Sequence, residues 1–70
     1  MERKKYLTLC QKNEGTKDIV VKYNGEEYSP KAYVMWFNSQ GETQHTARII
    51  SKNGTVIEAK LSDIKENDNG

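Results

Sequence analysis

Hydrophobic and polar positions alternate along most of this chain, with the two-residue period of strands rather than the 3.6-residue period of helices. Tyr6-Leu7-Thr8-Leu9-Cys10 places Leu7 and Leu9 on one strand face, and Gln11 to Lys17, with Asn13, Glu14 and Gly15, reads as a loop. Ile19-Val20-Val21-Lys22-Tyr23 is short and β-branched, which favours a strand. Asn24-Gly25 then gives a strong hairpin signal, because a type I′ turn needs positive φ at both central positions. A two-residue loop sets Tyr23 opposite Glu26, Lys22 opposite Glu27 and Val21 opposite Tyr28. Ser29-Pro30 is expected to end that hairpin, since proline cannot donate to a central ladder.

Ala32-Tyr33-Val34-Met35-Trp36-Phe37 is the densest apolar run. It predicts a central strand covered on both faces or nearly so, with Tyr33, Met35 and Phe37 on one face and Val34 and Trp36 on the other. Asn38 to Gly41 predicts a four-residue turn, after which the chain returns as Glu42 to Ile50. Lys52-Asn53-Gly54 makes the next turn, into Thr55 to Leu61, and allows two registers. A two-residue loop would oppose Ile49 with Glu58 and Arg48 with Ala59. A three-residue loop, with Gly54 as the left-handed residue, opposes Ile49 with Ile57, Ala47 with Ala59 and Arg48 with Glu58. The second is preferred because it keeps apolar with apolar and joins the charges. No stretch offers a helix of ordinary length, and Leu61 to Glu66 is the one candidate for a helical turn, with Ser62 or Asp63 as cap.

These elements predict an all-β class: a small five-stranded antiparallel, partly open barrel, SH3-like or alternatively OB-like, with at most one short helical turn near the C-terminus. The expected organisation is a flexible basic segment over 1–5, a single small β domain over 6–64 and a flexible polar tail over 65–70. The chain has 70 residues, and at that size about 60% of the unfolded surface is buried on folding, so the core is thin. Eleven Lys/Arg against ten Asp/Glu give a net charge of +1, too balanced for a disordered segment. The longest apolar run is six residues, far short of the ~20 that span a bilayer. With no signal-peptide pattern and a single cysteine, Cys10, the expected location is the cytoplasm.

Gly41 to Glu66, reading Gly-Glu-Thr-Gln-His-Thr-Ala-Arg-Ile-Ile-Ser-Lys-Asn-Gly-Thr-Val-Ile-Glu-Ala-Lys-Leu-Ser-Asp-Ile-Lys-Glu, resembles the hairpin core of Tudor and related SH3-like barrels. The resemblance implies an SH3-like fold. Gln44, His45 and Ile64 stand where that family places aromatic residues, so a methyl-lysine or methyl-arginine cage is not carried over.

Few residues point to chemistry. His45 is the only histidine and Cys10 the only cysteine, which excludes an internal disulfide and a Cys₂His₂ zinc site. His45 reads as a strand residue rather than a general base, and Cys10 as a small buried hydrophobe. No phosphate-binding glycine loop, paired-carboxylate motif or Ser/His/Asp spacing is present, so neither an enzyme nor a cofactor is expected. The aromatic residues Tyr23, Tyr28, Tyr33, Trp36 and Phe37 crowd into fifteen positions. Trp36 reads as the core anchor, and Tyr23 and Tyr33 as exposed. Arg3, Lys4, Lys5, Lys12, Lys17, Lys22 and Lys31 surround them in the first half, but Glu26 and Glu27 interrupt the patch.

The expected function is a non-catalytic binding or adaptor module that docks on another protein through aromatic and edge-strand surface. The candidate surface is Tyr23, Tyr28, Tyr33, Trp36, Lys22, Lys31, Arg48 and Lys52. The alternative is a weak nucleic-acid-binding barrel, with Lys22, Lys31, Arg48 and Lys52 on phosphates and Tyr23 or Trp36 on bases. Self-association through an open sheet edge is a further expectation, and no membrane partner is foreseen. The small size and the Asn- and Lys-rich content resemble bacterial or phage accessory proteins.

Overall fold

A computed structural model describes residues 1–16 and 19–67. One helix, α1 (Arg3–Thr16), precedes five antiparallel strands: β1 (Val21–Tyr23), β2 (Glu26–Phe37), β3 (Thr43–Ile50), β4 (Val56–Lys60) and β5 (Lys65–Glu66). A one-turn 3-10 helix at Leu61–Asp63 links the last two. The strands form a single sheet in the order β4-β3-β2-β1-β5, which does not close. Among the described residues no helix is long and apolar enough to cross a membrane.

The expected turns and registers of the two hairpins hold. Asn24 and Gly25 take φ of 52° and 78°, and Val21, Lys22 and Tyr23 face Tyr28, Glu27 and Glu26. Gly54 takes φ of 91°, Ser51 N–H donates to Thr55 O (2.9 Å), and Ile49, Arg48 and Ala47 face Ile57, Glu58 and Ala59, the three-residue-loop register. Arg48 and Glu58 form an ion pair at 2.5 Å.

At both ends of the chain the structure departs from the sequence expectations. The segment Tyr6 to Cys10 is helix, not strand, and the helix runs on through the expected loop as far as Thr16; Lys17 lies outside the described residues. Its inward stripe is Tyr6, Leu9, Cys10 and Asn13, spaced i, i+3, i+4, i+7, while Leu7 is 40% exposed. Segment 1–5, expected to be flexible, holds the opening turn of α1, and the Met1 nitrogen donates to Leu61 O (2.9 Å) and Ile64 O (3.0 Å). The fifth strand is instead Lys65–Glu66, drawn from the expected tail, pairing with β1 at Val21 and Lys22. Residues 68–70 of that tail lie outside the described residues.

Pro30 does not end a strand either. The 12-residue β2 continues through it, with a bulge between Pro30 and Ala32 that leaves Lys31 without a partner on β3. Bulges are where an interior strand tolerates proline. Against this irregularity lies Tyr6, fully buried, whose hydroxyl donates to Arg48 O at 2.8 Å. Asn13 Nδ2 adds a bond to Pro30 O (3.2 Å), so two side chains of α1 hold the bulged region. Around Tyr6 the core collects Val21, Tyr28, Pro30, Ala47, Ile49 and Ala59 from the sheet and Leu61 and Ile64 from the turn after β4.

Burial pushes the Tyr6 phenol far above the usual tyrosine range, reinforced by Cys10 and opposed by the Lys31 and Ala32 backbone. The neutral phenol is therefore favoured by folding. Its contribution is complete below about pH 10, where unfolded tyrosine is still protonated, and is lost as pH rises beyond that. Tyr6→Phe removes the hydrogen bond to Arg48 O and should cost about 0.5–1.5 kcal/mol in thermal denaturation. The stability gap between the two proteins should narrow above about pH 10, because only the wild type carries the ionisable group.

Candidate docking surface

The β2–β3 hairpin outruns its neighbours. β1 pairs with β2 only at Glu26 to Tyr28, and β4 pairs with β3 only from Thr46 to Ile50. The rest of β2, through Phe37, has no strand on its β1 side among the described residues. The far end is thus a two-stranded ribbon. Tyr33, Met35, Phe37 and His45 lie on the face continuous with the core, and Val34, Trp36, Gln44 and Thr46 on the other.

This end is apolar and exposed. Met35, Trp36 and Phe37 are 50%, 47% and 64% accessible, so the expectation of a strand covered on both faces fails here, and Trp36 is not a core anchor. The reason is geometric. An apolar run buries itself only where neighbouring elements extend far enough to cover it, and neither β1 nor β4 pairs as far as this end. No charged residue occurs between Lys31 and Glu42.

The ribbon is ordered from within. Asn38 Oδ1 accepts from the backbone N–H of Gln40 (3.0 Å) and Glu42 (2.9 Å), and Asn38 Nδ2 donates to Glu42 Oε1 (3.0 Å). Gly41 closes the turn at φ of 78°, a left-handed conformation that suits glycine. Across the strands Trp36 Nε1 donates to Thr46 Oγ1 (2.9 Å). Tyr33 stacks on His45 at 5.9 Å between centroids and 18° between planes, and its hydroxyl is hydrogen-bonded to His45 Nδ1. These contacts limit the rotamers that a partner would otherwise have to freeze.

The other candidate residues do not gather here. Tyr28 is buried and meets half-buried Tyr23 edge-on at 6.0 Å, while Tyr33 is half-buried. Lys22 sits in β1 and Lys31 at the bulge. Arg48 is paired with Glu58 and Lys52 with Glu27 (3.2 Å), so the four cations form no single patch. Met35 and Phe37, the most exposed of the run, are absent from the candidate surface that the sequence suggests. The signal for them is positional: they are the last apolar residues before a turn, on a strand longer than its flanking partners. Burial pushes the Cys10 thiol up, which disfavours a reactive thiolate. Among the described residues no group of three or more His, Cys, Asp or Glu could hold a metal ion.

Trp36→Ala should leave the melting temperature within a few degrees of wild type, since it truncates a half-exposed side chain away from the core. Ile49→Ala, at a fully buried position, should cost about 2–5 kcal/mol under the same conditions. Acrylamide should quench Trp36 fluorescence efficiently in the folded protein. No protein-family model matches this chain, and comparison with curated proteins and with solved structures likewise finds no match, so the reading of this surface rests on its own geometry.

Proposed function

We propose that this protein is a non-catalytic docking module that binds an extended, uncharged segment of another protein along the free edge of β2. The observation that carries the reading is the coincidence of an unpaired strand edge with Met35, Trp36 and Phe37, all about half or more exposed, in a stretch without charge. Strand addition draws affinity from backbone hydrogen bonds and specificity from alternating side chains. Here both faces of the edge are furnished, with Phe37 and Met35 on one and Trp36 on the other. The small size of the domain and its SH3-like hairpin pattern over residues 41–66 suit a module that presents one surface rather than an active site.

A displayed library of random extended peptides supplies the test. Selected peptides should shift the backbone amides of residues 31–37 in NMR spectra. They should lose binding to Met35→Lys and Phe37→Lys, both of which should keep the wild-type circular dichroism spectrum. Peptides that map to β4, to β5 or to the helix, with binding unchanged in these variants, would overturn the reading.

A further inference from the structure

A second feature lies at the opposite edge of the β2–β3 ribbon. β4 leaves β3 after Lys60, which faces Thr46, so Thr43, Gln44 and His45 keep one backbone edge unpaired among the described residues. The chain then enters the 3-10 turn, and the start of α1 closes the far side, held there by the Met1 nitrogen on Leu61 O and Ile64 O. The result is an open cleft of about 400 Å³ lined by Arg3, Thr43, Gln44, His45, Lys60 and Ser62 beside Met1 and Leu61. That volume is within the range of small-molecule sites.

The polarity of the lining is one-sided. It contains two permanent cations, Arg3 and Lys60, and no carboxylate. Elsewhere on the molecule Lys5, Arg48 and Lys52 each pair with a glutamate, whereas Arg3 and Lys60 form no ion pair among the described residues. The side chains of Thr43, Gln44 and Ser62 likewise make no hydrogen bond among the described residues. When the Tyr33 hydroxyl donates to His45 Nδ1, the neutral ring carries its proton on Nε2, adding a further donor. A cleft that offers a guanidinium, an ammonium, hydroxyls and an amide NH₂, with no carboxylate in its lining, is complementary to a phosphate.

We infer that this cleft binds the phosphate group of a small phosphate ester. Arg3 and Lys60 supply the charge, and Thr43 and Ser62 donate to the remaining oxygens. The same group could arrive on a free mononucleotide or at the end of a nucleic-acid strand. The site is separate from the β2 edge, so it stands or falls independently of the docking function.

The experiment is an amide NMR titration of the whole chain at about 0.15 M salt with inorganic phosphate, adenosine monophosphate and a short oligothymidylate. Phosphate and the mononucleotide should shift residues 43–45, 60–62 and Arg3 while leaving residues 21–31 in place. An Arg3→Glu/Lys60→Glu double variant should weaken binding about tenfold or more, given the strength of charge-assisted bonds. Lys60→Gln should weaken it less, and Lys31→Glu should bind as wild type does. Circular dichroism must match wild type for every variant scored. Shifts scattered over unrelated lysines, or equal loss in Lys31→Glu, would overturn the inference. So would a response to the oligonucleotide alone, which would mark a strand-binding groove instead.

Discussion

One buried phenol holds the two halves of this structure together. β2 is 12 residues long and carries an extra residue at Lys31, which disturbs the ladder with β3 next to Arg48. A disturbed ladder inside a core leaves backbone groups that need partners, and an unmet buried carbonyl costs about as much as a lost hydrogen bond. The Tyr6 hydroxyl meets the Arg48 carbonyl at 2.8 Å, and this requires α1 to lie across the sheet at that place. Tyr6 shares its core cluster with Ala47 and Ile49, and Arg3, three residues earlier on the same helix, lines the cleft.

The sheet edges are treated unequally. β5 is two residues long and both are charged, and β4 alternates Val56, Glu58 and Lys60 on its open face with Ile57 and Ala59 toward the core. Short strands and charge are the usual protections against unwanted pairing. The free portion of β2 beyond Lys31 has neither protection. A 70-residue chain with a thin core gains nothing for its own stability by leaving Met35, Trp36 and Phe37 half wet. The cost makes physical sense where these side chains meet a second surface.

What could be read from the sequence was what depends on local backbone chemistry. Asn24-Gly25 restricts φ strongly enough to give its turn and register, and at Lys52 to Gly54 the matching of Ile49 with Ile57 and Arg48 with Glu58 selects one of two registers. What could not be read depended on distant elements. Leu7 and Leu9 imitate a strand, and the helical stripe of Tyr6, Leu9, Cys10 and Asn13 is weakened by a thiol and an amide where leucines would have announced it. Pro30 looked like a terminator because nothing nearby in sequence reveals the bulge that accommodates it. The apolar run to Phe37 looked like core because hydrophobicity alone does not say how far β1 and β4 extend alongside it.

The pairing of β1 with β5 has a consequence for how the chain folds. Val21 meets Glu66, and the Met1 nitrogen reaches Leu61 and Ile64 across 60 and 63 positions of sequence. Such distant contacts must meet the entropy of loop closure before they give any return, whereas the Asn24-Gly25 hairpin closes on its own turn. Until the distant contacts form, α1 has no finished sheet to lie on, and Val21 has a bare backbone on one side. Docking of the helix and addition of the outer strand draw on the same short segment after β4, so the two events form one cooperative step.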